Sequence, residues 1–174
     1  SLVQPSIDLA PTLLDFFDLE PAPDMLGKVL RDAVAADNPV RQAAIFGQHG
    51  HQVNVTDGRH VYMRGPVRED NDPLFEYTLM PTHMRGPFEV DELRGRIELA
   101  EPFSFTKECQ TMKIPGRGRF DIAQFGTSLY DLAEDPRQEQ PLGDEQLVHQ
   151  LSGRMAELMR ECDAPLEQFE RLGL

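Results

Sequence analysis

At 174 residues, 40% hydrophobic and 27% charged, the chain is long enough for a domain with a real core and has an ordinary globular composition. Its formal net charge of -13 argues against a nucleic-acid backbone or an anionic membrane surface as the main partner. An anionic substrate stays possible, because a site can gather a few cations locally. No apolar run approaches the roughly 20 residues of a membrane span, and no basic-then-apolar leader opens the chain. Two cysteines, Cys109 and Cys162, are too few for a disulfide framework. They read as free thiols in a reducing, cytoplasmic setting, with a single bridge left open. Ser1-Leu-Val-Gln-Pro runs straight into a helical pattern without an initiator methionine, so a fragment or processed product is expected.

Residues 8–19 form the first helical pattern. Asp8 is placed to cap it and Pro11 falls in its first turn, where a missing N–H costs least. Leu9, Leu13, Phe16 and Phe17 follow the spacing of one buried stripe. Prolines at 21 and 23 end it. Residues 25–30 are a short apolar segment, and the small, polar residues 33–39 read as a boundary.

The densest signal lies at residues 44–64. A strand at 42–46 leads into Gly47-Gln48-His49-Gly50-His51. The runs 53–56 and 59–63 then flank Asp57-Gly58, the pair that favours a two-residue type I′ hairpin. That turn puts Val55 opposite His60 and Val53 opposite Tyr62, on one surface. His60 reads there as a partly buried sheet histidine. His49 and His51, two apart, point to one face of a strand and make half of a metal site, but no third ligand stands at the required spacing.

From 68 to 118 the periodicity weakens, as in a long functional loop. It contains a strand at 74–80, turn-rich residues 81–87, a short helix at 90–99 interrupted by Gly95, and strands at 102–107 and 110–114. His83 and Arg85 suit an oxyanion, although a solvated loop explains them equally, and Lys107 carries the same two readings. Gly116-Arg-Gly-Arg119 has the look of an anion nest but reads as an exposed turn. A strand at 125–132 ends in Glu134-Asp-Pro136, with Asp131, Glu134 and Asp135 as turn formers. Asp144 then caps a long amphipathic helix whose apolar face is Leu147, Leu151, Met155 and Leu158, widened by Val148, Met159 and Cys162. A last short helix is anchored by Leu166, Phe169 and Leu172. The sum is an α+β fold: a small antiparallel sheet packed by a long C-terminal helix.

Three segments together resemble the C-terminal part of the sulfatase family, in the alkaline phosphatase superfamily. Ser6-Ile-Asp-Leu-Ala-Pro-Thr-Leu-Leu-Asp15 with Met25-Leu-Gly-Lys-Val-Leu30 is similar to the family's "D-I-A-P-T-L-L" helix and "G-K-S-L" turn, with Val29 for the serine. Val55-Thr-Asp-Gly-Arg-His-Val-Tyr62 resembles the hairpin opening the family's C-terminal subdomain. Leu129-Tyr-Asp-Leu-Ala-Glu-Asp-Pro136 is similar to its "L-Y-D-L-x-x-D-P" strand and turn, with Gln138 and Pro141 departing from the usual glutamate and asparagine.

The resemblance implies that residues 1–36 end a large α/β domain and that 37–174 form a C-terminal α+β subdomain. It implies a sulfuric ester hydrolase with a formylglycine nucleophile and a divalent cation (Ca or Mg/Mn), none of them supplied here. No Cys- or Ser-x-Pro-x-Arg motif is present, so the stretch alone is expected to be inactive. Catalytic and metal-ligating residues are therefore not assigned. His49, His51, His83, Arg85 and Lys107 are the substrate-contact candidates, at the wall of a cleft that takes a sulfate ester. A phosphate or phosphonate ester, or a non-catalytic interaction or oligomerisation module, remain the alternatives. The Leu/Phe stripe of residues 6–19 would be left exposed without the large domain, which favours homo-oligomers or aggregates.

Overall fold

The computed structural model describes residues 1–80, 82–116 and 125–174. The fold is α+β. Its helices are α1 (Pro5–Phe16), α2 (Arg31–Ala36), α3 (Val90–Leu93), α4 (Glu145–Glu161) and α5 (Leu166–Leu172). Its strands are β1 (Ala44–Gly47), β2 (Val53–Thr56), β3 (His60–Arg64), β4 (Phe75–Thr78), β5 (Glu98–Ala100), β6 (Thr111–Pro115) and β7 (Ser128–Asp131). Two small sheets replace the single one expected, in the orders β1-β2-β3-β7 and β4-β6-β5. Among the described residues no helix is long and apolar enough to cross a membrane. Cys109 and Cys162 are free and exposed, so no bridge joins them and Cys162 does not widen the buried face of α4.

The chain divides into two compact units. The first comprises Ser1–Phe46, Val53–Met63 and Ser128–Leu158; the second comprises Gly47–Gln52, Arg64–Thr127 and Met159–Leu174.

In the first unit, α1 begins at Pro5, not at Asp8. Pro5 takes a first-turn position where its missing N–H is harmless. Asp8 sits inside the helix, fully buried, and turns back to accept the Gln4 N–H at 2.7 Å. Its other oxygen accepts the Lys28 N–H at 2.8 Å, and Thr12, one turn on, accepts the Leu30 N–H at 3.0 Å. An Asp and a Thr four apart on one helix face thus fasten residues 28–30 along α1. Pro11 has no N–H to offer the Ile7 carbonyl, and Gly27 lies against that carbonyl and the Pro11 ring. A Cβ at Gly27 would overlap the Ile7 carbonyl. Gly27→Ala is therefore expected to destabilise the chain by about 1–3 kcal/mol, as overpacking does, measured by urea unfolding; a loss within 0.5 kcal/mol, roughly the surface-site range, would show that the close approach is dispensable.

The apolar stripe of α1 is not buried. Leu9, Leu13, Phe16 and Phe17 are 55%, 58%, 75% and 66% exposed. Burial needs a covering surface, and none of the described residues provides it. Residues 33–36, read as part of a boundary, lie within α2.

The hairpin forms with a three-residue loop, Asp57-Gly58-Arg59. Gly58 has φ +96°, but Asp57 does not have positive φ, so a type I′ turn is not made. The Asp57 carboxylate instead accepts the Arg59 and His60 N–H groups at 2.9 and 2.7 Å, and Thr56 Oγ1 accepts the Gly58 N–H. Side-chain acceptors thus close the loop in place of the turn geometry. Val61 and Tyr62, neighbours on β3, are both buried. β3 is an interior strand, with β2 on one side and β7 on the other, so both its backbone edges are paired. It pairs antiparallel with β7, His60 opposite Asp131 and Tyr62 opposite Leu129. Arg59 clasps Asp131 across this pair, Nη2 to Oδ2 at 2.6 Å. Leu151, Met155 and Ala156 of α4 are buried, and the Asp144 carboxylate accepts the Leu147 N–H at 3.0 Å as its cap.

In the second unit β6 is central, pairing antiparallel with β4 and β5. The short helix expected over 90–99 is shorter, because Gly95 at φ +66° ends it and β5 follows. Residues 104–106 form a 3₁₀ turn where a strand was expected. Thr106 causes this: its Oγ1 accepts the Phe103 N–H and bonds the carbonyls of Phe103 and Cys109. Leu172 is fully buried, but Leu166, expected as an anchor of α5, is 84% exposed at its first position.

Candidate functional site

All five candidate residues lie in the second unit. The segment Gly47–Gln52 is held at its centre by a buried arginine. Arg171, near the end of α5, is 2% exposed. Its Nη2 donates to the His51 carbonyl at 3.0 Å, its Nη1 to Asn71 Oδ1 at 2.7 Å and its Nε to Gln168 Oε1 at 3.0 Å. Asn71 Nδ2 in turn donates to the Gly50 carbonyl at 2.8 Å. Gly50 is buried at φ +74°, a conformation that suits glycine. Burial lowers the pKa of Arg171, since its partners are neutral amides and a carbonyl. The whole turn carrying the two histidines is thus fixed from below by one guanidinium.

The His49 ring is exposed, with Nε2 3.0 Å from the Phe75 carbonyl at the start of β4. A carbonyl only accepts, so Nε2 carries the proton. A neutral His49 therefore presents a lone pair on Nδ1, and it donates to an anionic ligand only when protonated. The His51 ring is half-buried, while its carbonyl serves Arg171.

His83 lies elsewhere in the unit. Its Nε2 is 3.1 Å from Glu92 Oε2, its Nδ1 is 4.0 Å from Glu76 Oε2, and its ring packs 4.3 Å from that of Phe88. The charge of the two carboxylates about the imidazole repels an incoming oxyanion. Glu92 also accepts the Glu89 N–H, so it belongs to the capping box of α3. Arg85 is exposed on the turn that pairs His83 with Gly86. Lys107 is exposed just after the 3₁₀ turn, at φ +52°. The five thus stand at separate anchor points. The arginines of Gly116-Arg-Gly-Arg119 fall outside the described residues.

Sequence reading missed the groups that shape this region. Arg171 and Asn71 are 100 positions apart and no local pattern joins them. The same is true of Arg41 and Asp8 in the first unit, which meet in a two-pronged pair at 2.6 and 2.6 Å. The one local signal was Asp8-x-x-x-Thr12. Among the described residues no group of three His, Cys, Asp or Glu comes together to hold a metal ion. The described residues thus offer no ligand set for the divalent cation that the resemblance implies. No protein-family model matches the chain, and no curated protein matches it.

Proposed function

We propose that the chain is the C-terminal part of a sulfatase-like hydrolase that cleaves a sulfate ester, its nucleophile and divalent cation supplied by residues outside these 174. In this reading residues 1–36 end the large α/β domain, the protein works in the cytoplasm, and the Gly47–Gln52 segment forms part of the cleft wall. Neither nucleic acid nor membrane is a partner, and homo-oligomers form when the α1 stripe lacks its cover.

One observation carries the reading. The three segments that resemble the family fall in one unit, and their signature residues lock it together. Asp8, Thr12 and Gly27 fasten the first segment to itself. Asp131 of the third binds Arg59 of the second across paired strands. Asp, Thr and Gly at these positions have a physical reason to recur together. The exposed stripe of α1 supports the same reading, since an apolar helix face of this kind marks a missing partner surface.

The sequence of the intact gene product upstream of Ser1 tests the proposal. A Cys- or Ser-x-Pro-x-Arg motif with a later Asp-His or Asp-Asn pair is expected there. Their absence would overturn the enzyme reading and favour an interaction module. For the intact enzyme, His49→Ala is expected to raise KM for an aryl sulfate about 3- to 10-fold with kcat little changed, the loss of one ligand hydrogen bond. Unchanged kinetics in both His49→Ala and His51→Ala would remove this segment from the site.

A further inference from the structure

The second unit contains a pocket of about 530 Å³ that none of the candidate residues lines. This is within the range of small-ligand sites. Phe103, Phe169 and Leu166 contribute apolar wall; Ser104, Arg160 and Asp163 contribute polar groups. The wall is built rather than incidental. Phe103 is fixed edge-on against Tyr77 at 5.1 Å and stacks on Phe105 at 5.3 Å with an interplanar angle of 7°. Arg160, in the last turn of α4, lies over the Phe169 ring at 5.2 Å.

The two charges in the wall differ in what they already hold. The Asp163 carboxylate accepts the Ser104 N–H at 2.7 Å, which closes the 3₁₀ turn onto the end of α4. Hydrogen bonds from Ser104, side chain and backbone, hold the Asp163 carboxyl below the usual range. Arg160 has no carboxylate partner among the described residues, and faces only a ring. Its planar fork is thus free to take a bidentate acceptor while its lower face stays on Phe169.

We propose that this pocket binds an aromatic carboxylate, its ring against Phe103 and Phe169 and its carboxylate on the Arg160 guanidinium. A neutral ligand of the same shape leaves the guanidinium unpaired, and an aromatic amine places a second cation beside it. The ligand's charged end lies at Arg160 and not at Asp163, whose carboxylate is taken up by the Ser104 N–H, so selectivity follows the order acid, amide, amine. The site is independent of the ester-hydrolysis reading, because it uses none of the same residues.

Nuclear magnetic resonance titration of the chain with 3-phenylpropionate, 3-phenylpropionamide and 2-phenylethylamine tests it. The acid is expected to shift the amide signals of Phe103, Ser104 and Phe169, with the neutral amide at least about tenfold weaker and the amine without effect. Arg160→Gln, at an exposed position, is expected to keep the fold and abolish the preference of acid over amide. Arg160→Lys should restore part of it. Equal binding of acid and amide, an unaltered preference in Arg160→Gln, shifts confined to other residues, or no shift with millimolar acid would each overturn the proposal.

Discussion

Replacing Asp8 with alanine should cost about 3–5 kcal/mol, the penalty for stranding one member of a buried ion pair. Asp8 is fully buried and Arg41 nearly so, with 0% and 10% of their side chains exposed. The loss removes four hydrogen bonds at once: two from Arg41, one from Gln4 N–H and one from Lys28 N–H. The Arg41 guanidinium would keep only the Leu2 carbonyl, 3.3 Å from its Nη1, as an acceptor. Arg41→Ala should cost a similar amount, and the double variant much less than the sum, because the pair acts as a unit. Urea unfolding of the three variants checks this; additive losses, or losses under 1 kcal/mol, would make the pair a surface-like contact.

The same group sets an acid limit. Burial alone would raise the Asp8 pKa; the Arg41 guanidinium and the N–H groups of Lys28 and Gln4 outweigh it and bring the pKa down to about 2. A carboxylate with a depressed folded pKa stabilises the fold fully above its unfolded value, near 3.8. That contribution is lost as pH falls from there through about 2. Asp8→Asn should therefore flatten the acid limb of the stability curve in this window. An unchanged limb would assign the acid sensitivity to other carboxylates.

Arg171→Met is the second large effect, expected at about 3 kcal/mol. Methionine keeps much of the apolar stem, but Asn71 Oδ1, Gln168 Oε1 and the His51 carbonyl lose their donor. A fully buried stranded acceptor costs about 1–3 kcal/mol, and these three, on half-buried residues, each cost toward the lower end. The Gly47–Gln52 turn should loosen first, so amide exchange at Gly50 and His51 should accelerate while that of β2 and β3 stays protected. Equal acceleration everywhere would mean a global loss with no special tie to this turn.

These two arginines also show why only part of the structure is legible in the sequence. The α+β class is, because α4 has a clean apolar stripe with an Asp144 cap, and β2 and β3 flank Asp57-Gly58. Short-range patterns fail where a side chain competes. Phe103-Ser-Phe-Thr106 alternates like a strand, yet Thr106 folds it into a 3₁₀ turn. Residues 31–36 are helical without an apolar period, and Val34 on α2 is 82% exposed. The α1 stripe has a perfect helical spacing, and spacing says nothing of whether a covering surface is present. At the candidate site the glycines and histidines of 47–51 were conspicuous. Their anchors Arg171 and Asn71 were not, because those contacts depend on long-range folding.

As proposed, these residues are the C-terminal part of a sulfatase-like hydrolase. The most direct measurement is turnover of aryl sulfate and aryl phosphate esters by the intact gene product, with and without a divalent-metal chelator, beside residues 1–174 alone. The account predicts aryl sulfate hydrolysis by the intact protein, its loss on chelation, and no turnover by the 174 residues. Hydrolysis of neither ester, or of the phosphate alone, would contradict it.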